Sequence, residues 1–174
     1  GEASLLKGVR HIKPGHHLTI TTSGVTEARY WSIPDPEKLR LSREDAVDRL
    51  DTLLRRSVHL QLRSDVPVGC QLSGGIDSSL ITVLARSDQS ADLNAFSIIF
   101  NERQFSEETW ILTAAAAARA TSHRFVFDET AFMDALDAAS WHMDQPISHP
   151  NSLALWLLAR RSREHATVLL SGEG

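Results

Sequence analysis

Apolar positions along this chain follow two rhythms that take turns. From Ser42 onward, stretches at helical spacing alternate with short apolar runs. Val47, Leu50, Leu54 and Val58 recur at helical spacing, while Asp48, Arg49, Asp51, Arg55 and Arg56 occupy the opposite positions. Ser42 is the expected N-cap of that helix, Glu44 and Asp45 fill its first turn, and it is expected to end near Arg63. Short, mostly apolar runs at 66–72, 93–100 and 167–170, with His123-Arg124-Phe125-Val126-Phe127, predict four strands. Between them the pattern predicts a helix over about 77–87 and a second, capped by Ser106, that carries Ala114 to Ala118. A third spans 129–142 with Phe132, Leu136 and Ala139 on one face, and a fourth runs from a Ser152 cap to about Glu164. Asn101 to Ser106 and Asp144 to Asn151 read as loops. Strands that alternate with helices imply an α/β fold, a parallel sheet flanked by helices with right-handed crossovers.

Residues 15–31 differ. They alternate polar and apolar around Ser23-Gly24, which predicts a β-hairpin. Pro34-Asp35-Pro36-Glu37 then reads as a linker, so a domain boundary is expected near residues 33–40.

The most specific chemistry lies between the first predicted strand and the next helix, at Ser73-Gly74-Gly75-Ile76-Asp77-Ser78-Ser79. A helix start exposes unpaired backbone N–H groups and the positive end of its dipole. Glycines let that backbone approach an anion closely. The serine hydroxyls add donors, and Asp77 is a candidate magnesium ligand. A Walker loop would need Gly-Lys-Ser/Thr. The chain's lysines are Lys7, Lys13 and Lys38, none of them near the loop in sequence. The G-x-G-x-x-G of a dinucleotide fold is also missing. What remains, S-G-G-x-D-S, resembles the PP-loop of ATP pyrophosphatases, which attack the α-phosphorus and expel pyrophosphate. In a parallel sheet, ligands sit beyond the carboxyl ends of strands. The loop, the end of strand 93–100 and Ser171-Gly172-Glu173-Gly174 are all expected there.

Composition narrows the class. A length of 174 residues suits about one domain with a real core, and 42% hydrophobic residues indicates a globular chain. No run approaches the ~20 apolar residues of a membrane span. The net charge of −4 argues against a nucleic-acid footprint. The single cysteine excludes an internal disulfide and fits a reducing, cytoplasmic setting. The abrupt start and the stop within a glycine turn lead us to expect a fragment of a longer protein.

Together these stretches resemble the glutamine-hydrolysing asparagine synthetase family. The resemblance is carried by Asp65-Val66-Pro67-Val68-Gly69, by Leu72 through Ser79, by Phe96-Ser97-Ile98, and by Asp144-Gln145-Pro146 with Leu170-Ser171-Gly172-Glu173-Gly174 about twenty residues later. Val9 to His16 and Tyr30-Trp31 resemble the last strands of the family's glutaminase domain. The resemblance implies that residues 1–35 end a glutaminase (amidotransferase) domain and that 36–174 begin the ATP-binding synthetase domain, with an adenine nucleotide α-hydrolase-like fold. It implies ATP and Mg2+, aspartate and glutamine-derived ammonia as substrates, an upstream glutaminase domain, and it allows a homodimer. Ser73, Gly74, Gly75, Asp77, Ser78 and Ser79 match the pyrophosphate loop, with Asp77 matching a metal ligand. Leu72 and Ile98 match adenosine contacts, Ser171 and Gly172 a second nucleotide contact, and Glu173 an acidic residue near the acyl carbon, a candidate base.

Gln145 departs from the glutamate usual in the family. The adenylation chemistry also serves β-lactam synthetases and lasso-peptide cyclases, which close a ring, and a nucleotide-binding relative without turnover is a third reading. Cys70 reads as a small buried residue. His142, Asp144 and His149 match no strong metal spacing. Trp156 with Leu153 and Leu157 reads as a core face, Arg160, Arg161 and Arg163 as a solvated helix end, and Glu107 and Glu108 as ordinary acids of a helix start.

Overall fold

The computed structural model describes residues 2–34, 39–88, 92–102, 104, 106–144, 146–147 and 149–173. Most of the Pro34–Glu37 linker, Gln145 and Gly174 lie outside the described residues. The chain divides into two compact units, residues 1–42 and 43–174.

In the first unit the alternation is realised as a hairpin. Strand β1 (His16–Thr21) pairs antiparallel with β2 (Gly24–Arg29), from His16 opposite Arg29 to Thr21 opposite Gly24. Gly15 precedes it at φ +70°, and a Cβ there would lie 2.3 Å from the Trp31 carbonyl oxygen. That crowding leaves room for glycine alone, and the Gly15 carbonyl accepts from the N–H groups of Tyr30 and Trp31. Lys13 and Glu2 form an exposed ion pair at 2.9 Å.

The second unit begins with helix α1 (Arg43–Gln61), which carries Glu44 and Asp45 in its first turn. Strand β3 (Val68–Gln71) leads into α2 (Ile76–Asp88), β4 (Asn94–Ile99), α3 (Glu108–Ala117) and β5 (Thr121–Val126). Helices α4 (Glu129–Met143) and α5 (Asn151–Ser162) and strand β6 (Val168–Leu170) complete it. The strands form one parallel sheet in the order β5-β4-β3-β6. The expected parallel sheet flanked by helices is therefore what the chain builds.

Several element ends differ from the sequence reading, and three of them do so for a clear local reason. Strand β3 is shorter than 66–72 because Pro67 cannot donate to a ladder; its carbonyl instead accepts from Thr167 N–H at 2.9 Å. Helix α3 takes Glu107 as its N-cap, and Ser106 Oγ accepts only a long 3.4 Å bond from Glu108 N–H. Helix α5 is capped by Pro150, not Ser152. The proline ring presets a helical φ of −56°, and the Pro150 carbonyl accepts from Leu153 N–H at 3.0 Å. Helix α4 does have a side-chain cap, Asp128, whose carboxylate accepts from Ala131 N–H at 2.9 Å.

Side chains alternate across the sheet, so each strand serves two cores. On one face Cys70 packs with Val58 of α1 and Leu84 and Ala85 of α2. Leu72 and Ala95 pack on that face against Ile111, Ala114 and Ala115 of α3. On the other face Phe96 meets Leu158 and Ala166, and Ile98 extends the contact toward α4 and α5. Gly69 lies under that phenyl ring, where a Cβ would fall 2.5 Å from Phe96 Cε2. Leu153 and Leu157 are buried with Ala135 and Ala139, and Trp156 packs partly buried against them. Full burial of such a leucine stabilises by about 1.5–3 kcal/mol. Arg160 remains exposed, yet its guanidinium lies over the Trp156 ring at 5.3 Å rather than free in solvent. Among the described residues, no helix is long and apolar enough to cross a membrane.

Cys70 is wholly buried, and that burial pushes its thiol up to about 11. A raised thiol stays protonated and unreactive well above neutral pH. Native protein treated with iodoacetamide at pH 8 is therefore expected to leave Cys70 unmodified, and labelling should appear only after unfolding in guanidinium. Mass spectrometry of the peptide carrying Cys70 reads the outcome, and rapid labelling of the native state would contradict the packing described.

Candidate functional site

Strand β3 lies inside the sheet, between β4 and β6. From β3 the chain moves outward through β4 to β5, then returns to the other side of β3 as β6. The carboxyl ends of β3 and β6 are thus neighbours at the point where the strand order reverses, the position where open α/β sheets bind ligands. Two of the segments singled out from the sequence leave the sheet there: Ser73 to Ser79 after β3, and Ser171 to Glu173 after β6.

The loop after β3 is held from within. Gly74 has φ +90°, a conformation that suits glycine, and its absent Cβ would lie 3.2 Å from both Glu107 O and Trp110 Cβ. The hydroxyls of Ser73 and Ser78 are 2.9 Å apart. Ser78 Oγ accepts from Ser73 N–H at 3.2 Å and donates to the Gly75 carbonyl at 3.2 Å. Ser73 Oγ accepts from Gly75 N–H at 3.3 Å. Ser79 belongs to the helix proper, its N–H donating to the Gly75 carbonyl at 3.1 Å. The first N–H groups of α2 have no intrahelical partner and point out of the helix start.

The strand feeding the loop is equally constrained. Leu72 N–H donates to the Phe96 carbonyl at 2.8 Å, and the Leu72 carbonyl accepts from the buried Ser97 hydroxyl at 2.6 Å. Across the crevice, Gly172 touches the start of α2. A Cβ at Gly172 would lie 2.5 Å from Ser78 N and 2.6 Å from the Asp77 carbonyl carbon.

Two concavities open here. A pocket of about 160 Å³ is lined by loop residues Ser73, Gly75, Ile76, Asp77 and Ser78, with Ser171, Gly172 and Glu173 opposite. A neighbouring cleft of about 290 Å³ is mostly apolar, with Leu72, Phe96, Ile98, Phe100, Leu155 and Leu158 in its wall. Gln71, Ser73 and Glu173 line both. All the site residues named from the sequence line one of the two concavities except Gly74 and Ser79, which shape the loop and the helix start behind it. Among the described residues, no group of three or more His, Cys, Asp or Glu side chains is arranged to hold a metal, His142 and His149 included.

Sequence reasoning missed part of the lining. Phe100 follows β4, Glu107 is the N-cap of α3, and Asn151 opens α5; all three face the apolar cleft. Glu107 and Asn151 stand at helix starts in separate regions of the chain, and no local pattern announces their convergence. Gln71 did leave a signal, a polar residue inside an apolar run one position before Leu72.

Residues 49–174 match the asparagine synthase family. The chain belongs to that family. It is 32% identical to asparagine synthetase [glutamine-hydrolyzing] 1 of Bacillus subtilis over 166 residues, 95% of this chain and 26% of that protein. It is 33% identical to asparagine synthetase [glutamine-hydrolyzing] 3 of the same organism over 184 residues, 97% of this chain and 30% of that one. The chain thus spans less than a third of the length of these members of the family. Among solved structures, an NH3-dependent NAD synthetase from Campylobacter jejuni is similar at a TM-score of 0.47 with 16% identity, covering 77% of this chain and 58% of that one.

The contact at Gly172 yields a direct test. Gly172→Ala is expected to force β6 away from α2 and to destabilise by about 1–3 kcal/mol, the usual cost of overpacking. Thermal unfolding measures the effect, and an unchanged midpoint would refute the close approach.

Proposed function

We propose that the intact protein is an ATP-dependent amide-forming ligase of the asparagine synthetase type. The observation that carries this reading is the pairing of a hydroxyl- and amide-rich pocket with an apolar cleft at the β3/β6 crevice. One suits phosphates and the other a purine base. Family membership supports ATP-dependent amidation in general.

The first step joins an aspartate side-chain carboxylate oxygen to the α-phosphorus of ATP. The bond to the bridging oxygen breaks, and pyrophosphate leaves with that electron pair. Ser73, Gly74, Gly75, Ser78 and Ser79 form the cradle for the leaving pyrophosphate, using hydroxyls and the N–H groups of the helix start. Among the described residues, no lysine or arginine lines this pocket. Leu72 and Ile98 hold the adenosine, while Ser171 and Gly172 contact the nucleotide from the β6 side. Ammonia then attacks the acyl carbon, AMP departs, and asparagine is formed. Glu173 borders both concavities and would take the proton shed by the incoming amine.

The donor set also suits Mg2+. Among the described residues, the phosphate pocket presents the carboxylates of Asp77 and Glu173 and no cationic side chain. Magnesium is commonly held by one or two carboxylates together with substrate phosphates rather than by an all-protein cage. Asp77 is the residue proposed to hold it, and the ion would neutralise charge on the phosphates. We assign residues 1–35 to the end of a glutaminase domain that delivers ammonia, and 36–174 to the beginning of the synthetase domain.

The intact protein is expected to exchange labelled pyrophosphate into ATP only when aspartate is present. Exchange supported by a different carboxylate would overturn the asparagine assignment and leave adenylation standing. Asp77→Asn should lower magnesium-dependent turnover by about a hundredfold or more, because a metal clamp on phosphates contributes several kcal/mol. Full activity in that variant would remove Asp77 from the site.

A further inference from the structure

Gln71 stands out on one of the sheet's two inner strands. A strand with neighbours on both sides in a parallel sheet is expected to be almost continuously apolar. Strand β3 obeys this through Val68, Gly69 and Cys70, then presents a carboxamide immediately before the buried Leu72. Alternation puts Gln71 on the same face as Gly69, the side occupied by Phe96. It is only half-buried, and its side chain makes no hydrogen bond to another described residue. An amide in that position loses part of its hydration and recovers nothing from the protein, which is unfavourable unless a ligand completes it.

Its location indicates which part of a ligand that is. Among the described residues, only Gln71, Ser73 and Glu173 border both the apolar cleft and the phosphate pocket. The Ser73 hydroxyl is already engaged with Ser78 and Gly75. Glu173 lies beyond β6 and is exposed. Gln71 is therefore the remaining uncommitted group on the strand floor between the two. In a nucleotide, the sugar is what separates base from phosphates. A carboxamide offers a donor and an acceptor side by side, the complement of a vicinal diol whose hydroxyls can each donate and accept.

We propose that Gln71 is a specificity-determining residue that binds the ribose hydroxyls and selects ribonucleotides over their deoxy counterparts. The inference rests on the ATP-binding reading above and deepens it, by naming the part of the nucleotide this strand recognises.

The test compares ATP, 2′-deoxy-ATP and 3′-deoxy-ATP by equilibrium binding to the intact protein and to Gln71→Leu, which keeps the bulk and removes the amide. The unsubstituted protein is expected to favour ATP over at least one deoxy analogue by about tenfold, the scale of a lost ligand hydrogen bond. Gln71→Leu should bind ATP about tenfold more weakly, erasing that preference, while its affinity for inorganic pyrophosphate stays unchanged. Gln71→Asn, one methylene shorter, should retain part of the preference, and Gln71→Met replaces Gln71→Leu if the latter does not fold. An unsubstituted protein that binds the three nucleotides equally overturns the role of Gln71 alone. So does a variant that keeps the preference. An unsubstituted protein that binds none of them overturns the ATP reading, and this inference with it.

Discussion

Strand β3 sends its chain to one side of the sheet and receives β6 on the other, and the site exists because of that division. Parallel strands need long crossovers, so two strands adjacent in space can be nearly a hundred residues apart in sequence. Val68 pairs with Val168, and Cys70 with Leu170. The segments that follow these two strands are then delivered to the same place, one as a glycine-serine loop and the other as Ser171-Gly172-Glu173. Gly172 completes the arrangement by bringing the β6 segment against the backbone of Asp77 and Ser78. Without that register, the pocket beside the loop would have a floor and one wall only.

Inside this frame the loop needs little adjustment to receive a ligand. Ser73, Gly75 and Ser78 already satisfy one another, and Thr82 anchors the next turn by donating to the Ser78 carbonyl at 2.8 Å. Ser78, Thr82, Ser97 and Ser162 are the buried polar side chains among the described residues. Three of them surround this loop, so the buried hydrogen-bonding capacity is concentrated where backbone direction matters most. The Ser97 hydroxyl is the clearest case: it caps the Leu72 carbonyl at the point where the chain leaves the sheet.

Much of this was legible in the sequence because its causes are local. Apolar runs of strand length, helical spacing and the Ser-Gly-Gly turn are short-range signals, and the four strands and five helices follow them closely. The errors lie at element ends, where two local preferences compete: Pro150 displaced Ser152 as the α5 cap, and Pro67 shortened β3. The asparagine synthase resemblance was readable from motifs such as Leu72-Ser73-Gly74-Gly75. What no local rule supplies is convergence. Glu107 and Asn151 face one cleft because two helices pack on opposite faces of the sheet and meet at its carboxyl edge. Gln71 was visible as an oddity, but its meaning required knowing that β3 is an inner strand and which way its side chains alternate.

A cradle made largely of peptide groups has an unusual vulnerability profile. Amide donors are common to every residue but proline, so exchanging one side chain for another along the loop leaves its outward-facing N–H groups in place. Damage to the loop's shape is greatest where added bulk has nowhere to go, above all at Gly74, with its positive φ, and Gly172, with backbone against its missing side chain. The loop thus presents a small mutational target for loss of its shape, while side chains around the crevice can vary without disturbing the backbone that frames it. One backbone scaffold can in this way be kept while the chemistry at its rim is altered.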